Sequence, residues 1–171
     1  MARPIPERIR LAVEALDLRT DARVLEVGCG TGVAAALLAA RVPDGPVTAL
    51  DRSATAVGHA SQRLARWVDA GIADVVERDL RRFHGDGRSY DVILAINVND
   101  MWTDPDGEHV ARLDALLADD GAVHLWYEAP PGGDPLAAGE RERAALARAG
   151  LVAEVTRVEG LAHVVGRRGT G

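Results

Sequence analysis

The chain carries a single cysteine, Cys29, and one thiol excludes an internal disulfide. It lacks any apolar run long enough for a membrane span or a signal peptide. Its first residues include Arg and Glu instead, so a cytoplasmic protein is expected. A basic stripe is also missing. The net charge is −6, and Arg81-Arg82 and Arg167-Arg168 are too short to follow a nucleic-acid backbone, so they read as solvated faces. No internal repeat, low-complexity tract or second unit is visible. What remains is 171 residues, 47% apolar and 27% charged, enough for one ordinary soluble domain with a real core. The expected organisation is one domain over 1–171, with an N-terminal helix in 1–20 capping a core over 21–168.

The stretch that organises this chain is RVLEVGCGTGVAAALLAAR, from Arg23 to Arg41. Val24, Leu25 and Val27 make an apolar run of strand length. Gly28-Cys29-Gly30-Thr31-Gly32 is a turn, and the Ala- and Leu-rich residues after it have high helix propensity. Strand, glycine turn and helix together let backbone approach a nucleotide-like ligand beside a helix N-terminus. Cys29 reads as a small side chain in that loop rather than a nucleophile, because nothing in the sequence indicates a lowered thiol pKa.

The glycines can be read in two frames. Gly30-x-Gly32-x-x-Ala35 fits the dinucleotide fingerprint of oxidoreductases. Glu-x-Gly-x-Gly-x-Gly, counted from Glu26, instead puts a carboxylate on the strand two residues before Gly28. A carboxylate repels a pyrophosphate at short range but suits a ligand bearing an ammonium group, which favours the second frame.

The rest of the chain alternates. Pro4 to Leu18 reads as an amphipathic helix, with Ile9, Val13 and Leu16 on one face. Val47 to Leu50 is a buried strand ending at Asp51, and Ser53 caps a helix to about Val68, with His59 on its surface. Val75-Val76 centre a third strand finishing at Asp79-Leu80. Tyr90 to Ile96 is the clearest continuously apolar strand, followed by Asn97-Val98-Asn99-Asp100. A helix with Val110, Leu113, Leu116 and Leu117 inward is broken at Asp120-Gly121, and Ala122 to Glu128 is a fifth strand, with His124 as a satisfied core histidine. Asp134 and Pro135 start a helix that runs to about Ala149. Leu151 to Glu159 and Leu161 to Arg167 form a terminal hairpin.

Five strands alternating with helices predict an α/β, doubly wound, mostly parallel seven-stranded sheet, the hairpin supplying an antiparallel strand and helices covering both faces. In such sheets ligands bind beyond the carboxyl ends of the strands. Gly28 to Gly32, Asp51, Asp79, Asn97 to Asp100 and Tyr127-Glu128 all fall on that edge. Core packing does not require carboxylates there.

With these residues in order, the chain resembles the class I, Rossmann-like S-adenosylmethionine-dependent methyltransferases from about Val24 to Arg168. The motif that carries the resemblance is Val24-Leu25-Glu26-Val27-Gly28-Cys29-Gly30-Thr31-Gly32. The resemblance implies S-adenosyl-L-methionine as cofactor. Gly28, Cys29, Gly30, Thr31 and Gly32 would hold its methionine part, with Glu26 near the amino group. Asp51 would accept from the ribose hydroxyls, and Arg52 or Ser53 would lie beside the adenine. Asp79 would take the adenine amino group, with Leu80 giving backbone contact. Asn97 and Val98 would line the passage from sulfonium to acceptor.

Holding an acceptor in line with the methyl group supplies much of such catalysis, and a general base helps only where the acceptor must lose a proton. Asp100 and His109 are the candidate catalytic residues, with Tyr127 and Glu128 on the same edge. The sequence AINVND lacks the Asn/Asp-Pro-Pro-Tyr motif of amino-methylating nucleic-acid enzymes, which together with the acidic charge disfavours a nucleic-acid substrate. No large insertion forms a lid, and no metal-ligand set can be assigned. Trp102 is placed to stack on a planar or apolar acceptor. The expected activity is methyl transfer to a small-molecule acceptor, at oxygen or nitrogen before carbon. The rivals are a non-catalytic cofactor-binding module acting through a partner protein, and a nicotinamide-dependent oxidoreductase.

Overall fold

Strand β1, Val24–Val27, is buried along its whole length and lies at the centre of the molecule. The computed structural model describes residues 4–98, 100, 103–104, 106–129 and 131–169. On one side β1 pairs in parallel with β2, Val47–Asp51, which pairs with β3, Ala73–Glu77. On the other it pairs in parallel with β4, Tyr90–Ile96, which leads to β5, Leu117–Glu128. The hairpin of β6, Leu151–Val158, and β7, Leu161–Arg168, closes the far edge. The strand order is β3-β2-β1-β4-β5-β7-β6. β7 inserts antiparallel to β5, so one strand of the seven runs against the rest. The chain winds outward in both directions from the β1–β4 junction, which leaves a crevice beyond their carboxyl ends.

Two apolar layers sandwich this sheet. On one face lie α1, Glu7–Glu14, α2, Val33–Arg41, and α3, Ala54–Asp69, whose Val13, Leu38 and Leu64 pack on Val24, Ala49 and Leu94. On the other, α4, Glu108–Leu116, and α5, Pro135–Arg148, bring Leu113 and Leu146 against Leu25, Ile93 and Leu125. The expected starts of two helices hold. Ser53 accepts from the Ala56 N–H at 3.3 Å, and Asp134 accepts from Leu136 with Pro135 in the first turn. Arg41 ties α1 down by donating to the carbonyls of Val13 and Leu16. Among the described residues no helix is long and apolar enough to cross a membrane.

Three boundaries differ from expectation. α1 is shorter than Pro4 to Leu18, beginning at Glu7 after Pro6 and ending at Glu14. β3 stops at Glu77, because Asp79 caps a 3-10 turn over Leu80–Arg82 by accepting from the Arg81 N–H at 2.9 Å. Leu117 is the first residue of β5 rather than the last of the α4 stripe. It pairs with Tyr90, and Val92 next meets Ala122, so the extra residues bulge outward with Asp119 and Asp120 exposed. A leucine three or four residues after Leu113 fits a helical stripe and a buried strand start equally well.

His124 is buried as expected. Its Nδ1 lies 3.0 Å from Nε2 of His163 on β7, which in turn stacks on Trp126 with centroids 4.0 Å apart. Burial pushes His124 down to about 3 and His163 to about 4, so both stay neutral near pH 7.

Candidate active site

The carboxyl ends of β1, β2 and β4 open into two lobes of one trough. The first, about 330 Å³, is lined by Gly28, Asp51, Arg52, Asp79, Leu80 and Asn97, with Val98, Asp100 and His109 beside them. The second, about 260 Å³, lies under α1 and is lined by Glu26, Cys29, Gly30 and Thr31, with Pro6, Arg8 and Ile9 as its cover. Gly28, Ile96 and Asn97 border both lobes. Two predicted cofactor residues lie outside the two linings: Gly32, which starts α2, and Ser53, which is exposed and caps α3.

The glycine loop is shaped by close approach. Gly28 has φ +70°, and a Cβ on it would sit 2.5 Å from Cγ2 of Val98, so only glycine lets the two lobes meet there. Gly32, at φ +75°, brings α2 to within 3.0 Å of the Ala60 Cα of α3 for any added Cβ. The loop is then held by Asp51, which accepts from the Gly30 N–H at 2.9 Å and from the Ser53 N–H at 2.9 Å. Asp51 therefore positions the loop as well as facing the first lobe.

Glu26 is 4% exposed, and its Oε2 has no hydrogen-bond partner. Burial raises its carboxyl to about 8, opposed by the backbone N–H of Ala35 in the first turn of α2 and reinforced by Asp51. A buried carboxyl with one free oxygen, facing a cavity, is a strong acceptor for a donor-rich cation. Cys29 beside it is buried, and burial lifts its thiol to about 12, which excludes a resting thiolate.

The far side of the trough is fixed by β5. Asn97 has φ +53°; its backbone N–H donates to the Trp126 carbonyl at 2.8 Å, and its Oδ1 accepts from the Glu128 N–H at 2.8 Å. The Val98 carbonyl accepts from the Tyr127 hydroxyl at 3.0 Å. Tyr127 is therefore a buried strut rather than a group at the rim, and burial holds its hydroxyl protonated well above the ordinary phenol range. Its second neighbour, Glu142 of α5, went unnoticed in the sequence. Its signal is a carboxylate on the buried stripe Pro135, Gly139, Glu142, Ala145.

Four predicted residues carry engagements that the sequence did not suggest. Asp79 accepts from the Arg81 guanidinium through both oxygens, at 3.0 and 2.9 Å, a pairing that holds its carboxyl far below the usual range. What it offers a ligand is its remaining lone pairs. Asp100 pairs with Arg52 at 3.1 Å across the first lobe. His109 is buried, with its Nδ1 3.2 Å from Asp104 Oδ2 but out of line for a hydrogen bond, while its backbone N–H donates to that oxygen at 2.7 Å. Glu128 pairs with Arg8 of α1 at 3.6 Å, at the rim of the second lobe. Trp102 lies outside the described residues.

The trough fits S-adenosyl-L-methionine on these observations. It has an acceptor without a partner at one end, a carboxylate-bordered lobe at the other, and a glycine where the two halves join. Comparison with known proteins points the same way. Residues 25–123 match the model of the methyltransferase domain. The malonyl-[acyl-carrier protein] O-methyltransferase of Acetivibrio thermocellus is 31% identical over 65% of this chain and 38% of its own length. The trans-aconitate 2-methyltransferase of Paracidovorax citrulli is 34% identical over 70% of this chain and 45% of its own. The chain thus spans less than half the length of the curated relatives it matches. The solved precorrin-6y C5,15-methyltransferase of Geobacter metallireducens superposes with a TM-score of 0.75 at 17% identity, covering 94% of this chain and 87% of that one, and so shares the fold.

Proposed function

Since the chain belongs to the methyltransferase domain family, we propose that it moves a methyl group from S-adenosyl-L-methionine to a small-molecule acceptor in the cytoplasm. The observation that carries this reading is the unpartnered, buried Oε2 of Glu26 at the head of a trough whose two lobes join at Gly28. Glu26 accepts from the amino group of the cofactor, and the loop from Gly28 to Gly32 lets backbone approach its methionine part. Asp51 faces the ribose hydroxyls with the lone pairs that Gly30 and Ser53 leave free, and Arg52 lies beside the adenine. Leu80 and the free lone pairs of Asp79 border the adenine end.

When bound, the cofactor supplies an activated methyl group on a sulfonium, an excellent leaving group. The protein therefore needs chiefly to aim the acceptor and exclude water. Asn97 and Val98, locked to β5, form the wall along which the acceptor approaches. Asp100 and His109 are the groups on that side able to orient an acceptor or take its proton. Both already face a charged neighbour, Arg52 and Asp104 respectively, which favours an acceptor oxygen that needs little help in losing a proton. The names of the two curated relatives, on malonyl-acyl-carrier protein oxygen and on trans-aconitate, are compatible with an acidic acceptor.

Calorimetric titration with S-adenosylmethionine, S-adenosylhomocysteine and NAD, with an Asp51→Ala variant alongside, tests the reading. Micromolar binding of the first two, weakened in the variant, is expected, followed by S-adenosylhomocysteine formation when candidate acceptors are supplied. Binding of NAD alone would overturn it. Cofactor binding without turnover on any acceptor would favour the second reading, a binding module completed by a partner protein.

A further inference from the structure

The Tyr127 hydroxyl stands between two acceptors. The Val98 carbonyl is 3.0 Å away and Oε1 of Glu142 is 2.8 Å away, yet the hydroxyl has one hydrogen to give. Glu142 is fully buried, its Oε2 has no partner, and no cation accompanies it among the described residues. As a carboxylate it would be an uncompensated buried charge, and it would compete with Val98 for that hydrogen. As a carboxylic acid it resolves both conflicts. Oε1–H donates to the Tyr127 oxygen, Tyr127 donates to the Val98 carbonyl, and only a neutral carbonyl oxygen is left unpaired.

We propose that Glu142 is a positioning residue for the cofactor site, acting as a neutral acid through Tyr127 to hold Val98 against Gly28. The inference rests on the trough being the cofactor site. Its path is short. Val98 borders the first lobe, and its Cγ2 fills the space that a Cβ on Gly28 would need. A shift of Val98 therefore moves the junction between the lobes.

The surroundings favour the neutral acid. Burial raises Glu142 to about 7, and Tyr127 is the titratable group in contact with it. Asp100 acts on Tyr127 and not on Glu142 directly. β6 and β7 face α5 with the apolar Val155, Ala162 and Val164 around Gly139, and none of the charged groups of α4, β6 or β7 bears on Glu142. Above neutral pH the ionised Glu142 accepts the hydrogen of Tyr127, and Val98 loses its bond.

The test is S-adenosylhomocysteine affinity from about pH 6 to about pH 9 in the wild type, Glu142→Gln and Tyr127→Phe. A glutamine amide donates to Tyr127 at every pH in that range. Glu26 also titrates there, but in all three proteins, so the ratio of affinities cancels it. Wild type and Glu142→Gln should match near pH 6, and the wild type should fall about fivefold behind by pH 9, the weight of one hydrogen bond. Tyr127→Phe should be weaker with no such divergence. Parallel profiles for wild type and Glu142→Gln would overturn the proposal. Infrared spectroscopy tests it without ligand and without a folded Glu142 variant. With Glu26→Gln in the background to remove the other raised carboxyl, the protein should show a buried carboxylic-acid carbonyl band that fades as pH rises through about 7 and shifts when Tyr127→Phe is added. A band that Tyr127→Phe leaves unmoved would contradict it. No binding by any protein, with that band present, would sink the cofactor reading and not the acid.

Discussion

β1 and its flanking strands end differently at their two edges. At the amino edge Arg23 and Asp91 satisfy each other completely. The Arg23 backbone N–H and Nε donate to Asp91 Oδ2 at 2.8 and 3.1 Å, Nη2 to Oδ1 at 2.8 Å, and Nη1 to the Ser89 hydroxyl at 3.1 Å. The Arg23 contacts hold the Asp91 carboxyl below its ordinary range. Three residues further along β1, Glu26 is more deeply buried, keeps one oxygen unpartnered, and is raised to about 8. The paired strands β1 and β4 thus have, at their amino edge, a carboxylate that the fold satisfies, Asp91 of β4, and towards their carboxyl edge a carboxyl that it leaves wanting a donor, Glu26 of β1. Most buried polar groups are paired, and an unpaired carboxyl oxygen that lines a cavity calls for a donor from outside the chain, so the difference marks which edge binds.

The sharpest way to break this contrast is to neutralise each end in turn. Glu26→Gln should cost about a hundredfold in S-adenosylhomocysteine affinity, the weight of a charge-assisted bond, while leaving the melting temperature unchanged or higher. Calorimetry and thermal denaturation on one preparation check both. Asp91→Ala should do the reverse. Its pair with Arg23 is partly solvent-exposed, so a loss of about 1–2 kcal/mol in unfolding free energy is expected, with cofactor affinity unchanged.

The two ends also respond to pH with opposite sign. Glu26 has its folded pKa raised, so its contribution to the stability of the ligand-free protein is full below the ordinary carboxyl range and fades as pH rises towards about 8. Glu142, raised to about 7, adds in the same sense. Asp91 is depressed, so its contribution is present above the ordinary carboxyl range and lost as pH falls through its folded value. Melting curves across pH should show Glu26→Gln flattening the alkaline limb and Asp91→Asn the acid limb. The smallest effect concerns Cys29, whose buried thiol lifted to about 12 should resist iodoacetamide in the native protein at about pH 8 and react on unfolding.

Much of this was legible in the sequence because β1, β2 and β4 are apolar runs closed by Gly28, Asp51 and Asn97 respectively. That pattern belongs to parallel strands buried on both faces and ending at a site. Glu26 stood out because a carboxylate within such a run has no packing reason to be there. The boundary at Leu117 was hidden by a helical spacing that a strand start also satisfies. The bidentate pairing of Asp79 with Arg81 and the bridge from Arg52 to Asp100 depend on side-chain directions that spacing does not encode. Tyr127 looked like a rim residue because it ends a strand. Its burial follows from α5 lying over that end, and Glu142 comes from the helix that covers it.

The most direct measurement is the number of protons exchanged when S-adenosylhomocysteine binds at about pH 7, read by calorimetry in buffers of different ionisation enthalpy. If the free oxygen of Glu26 receives the ligand's ammonium group, a carboxyl that is mostly protonated before binding must ionise, and the wild type should release close to one proton. Glu26→Gln should bind more weakly and release none from this site. Equal affinity and equal proton exchange in the two proteins would contradict the account.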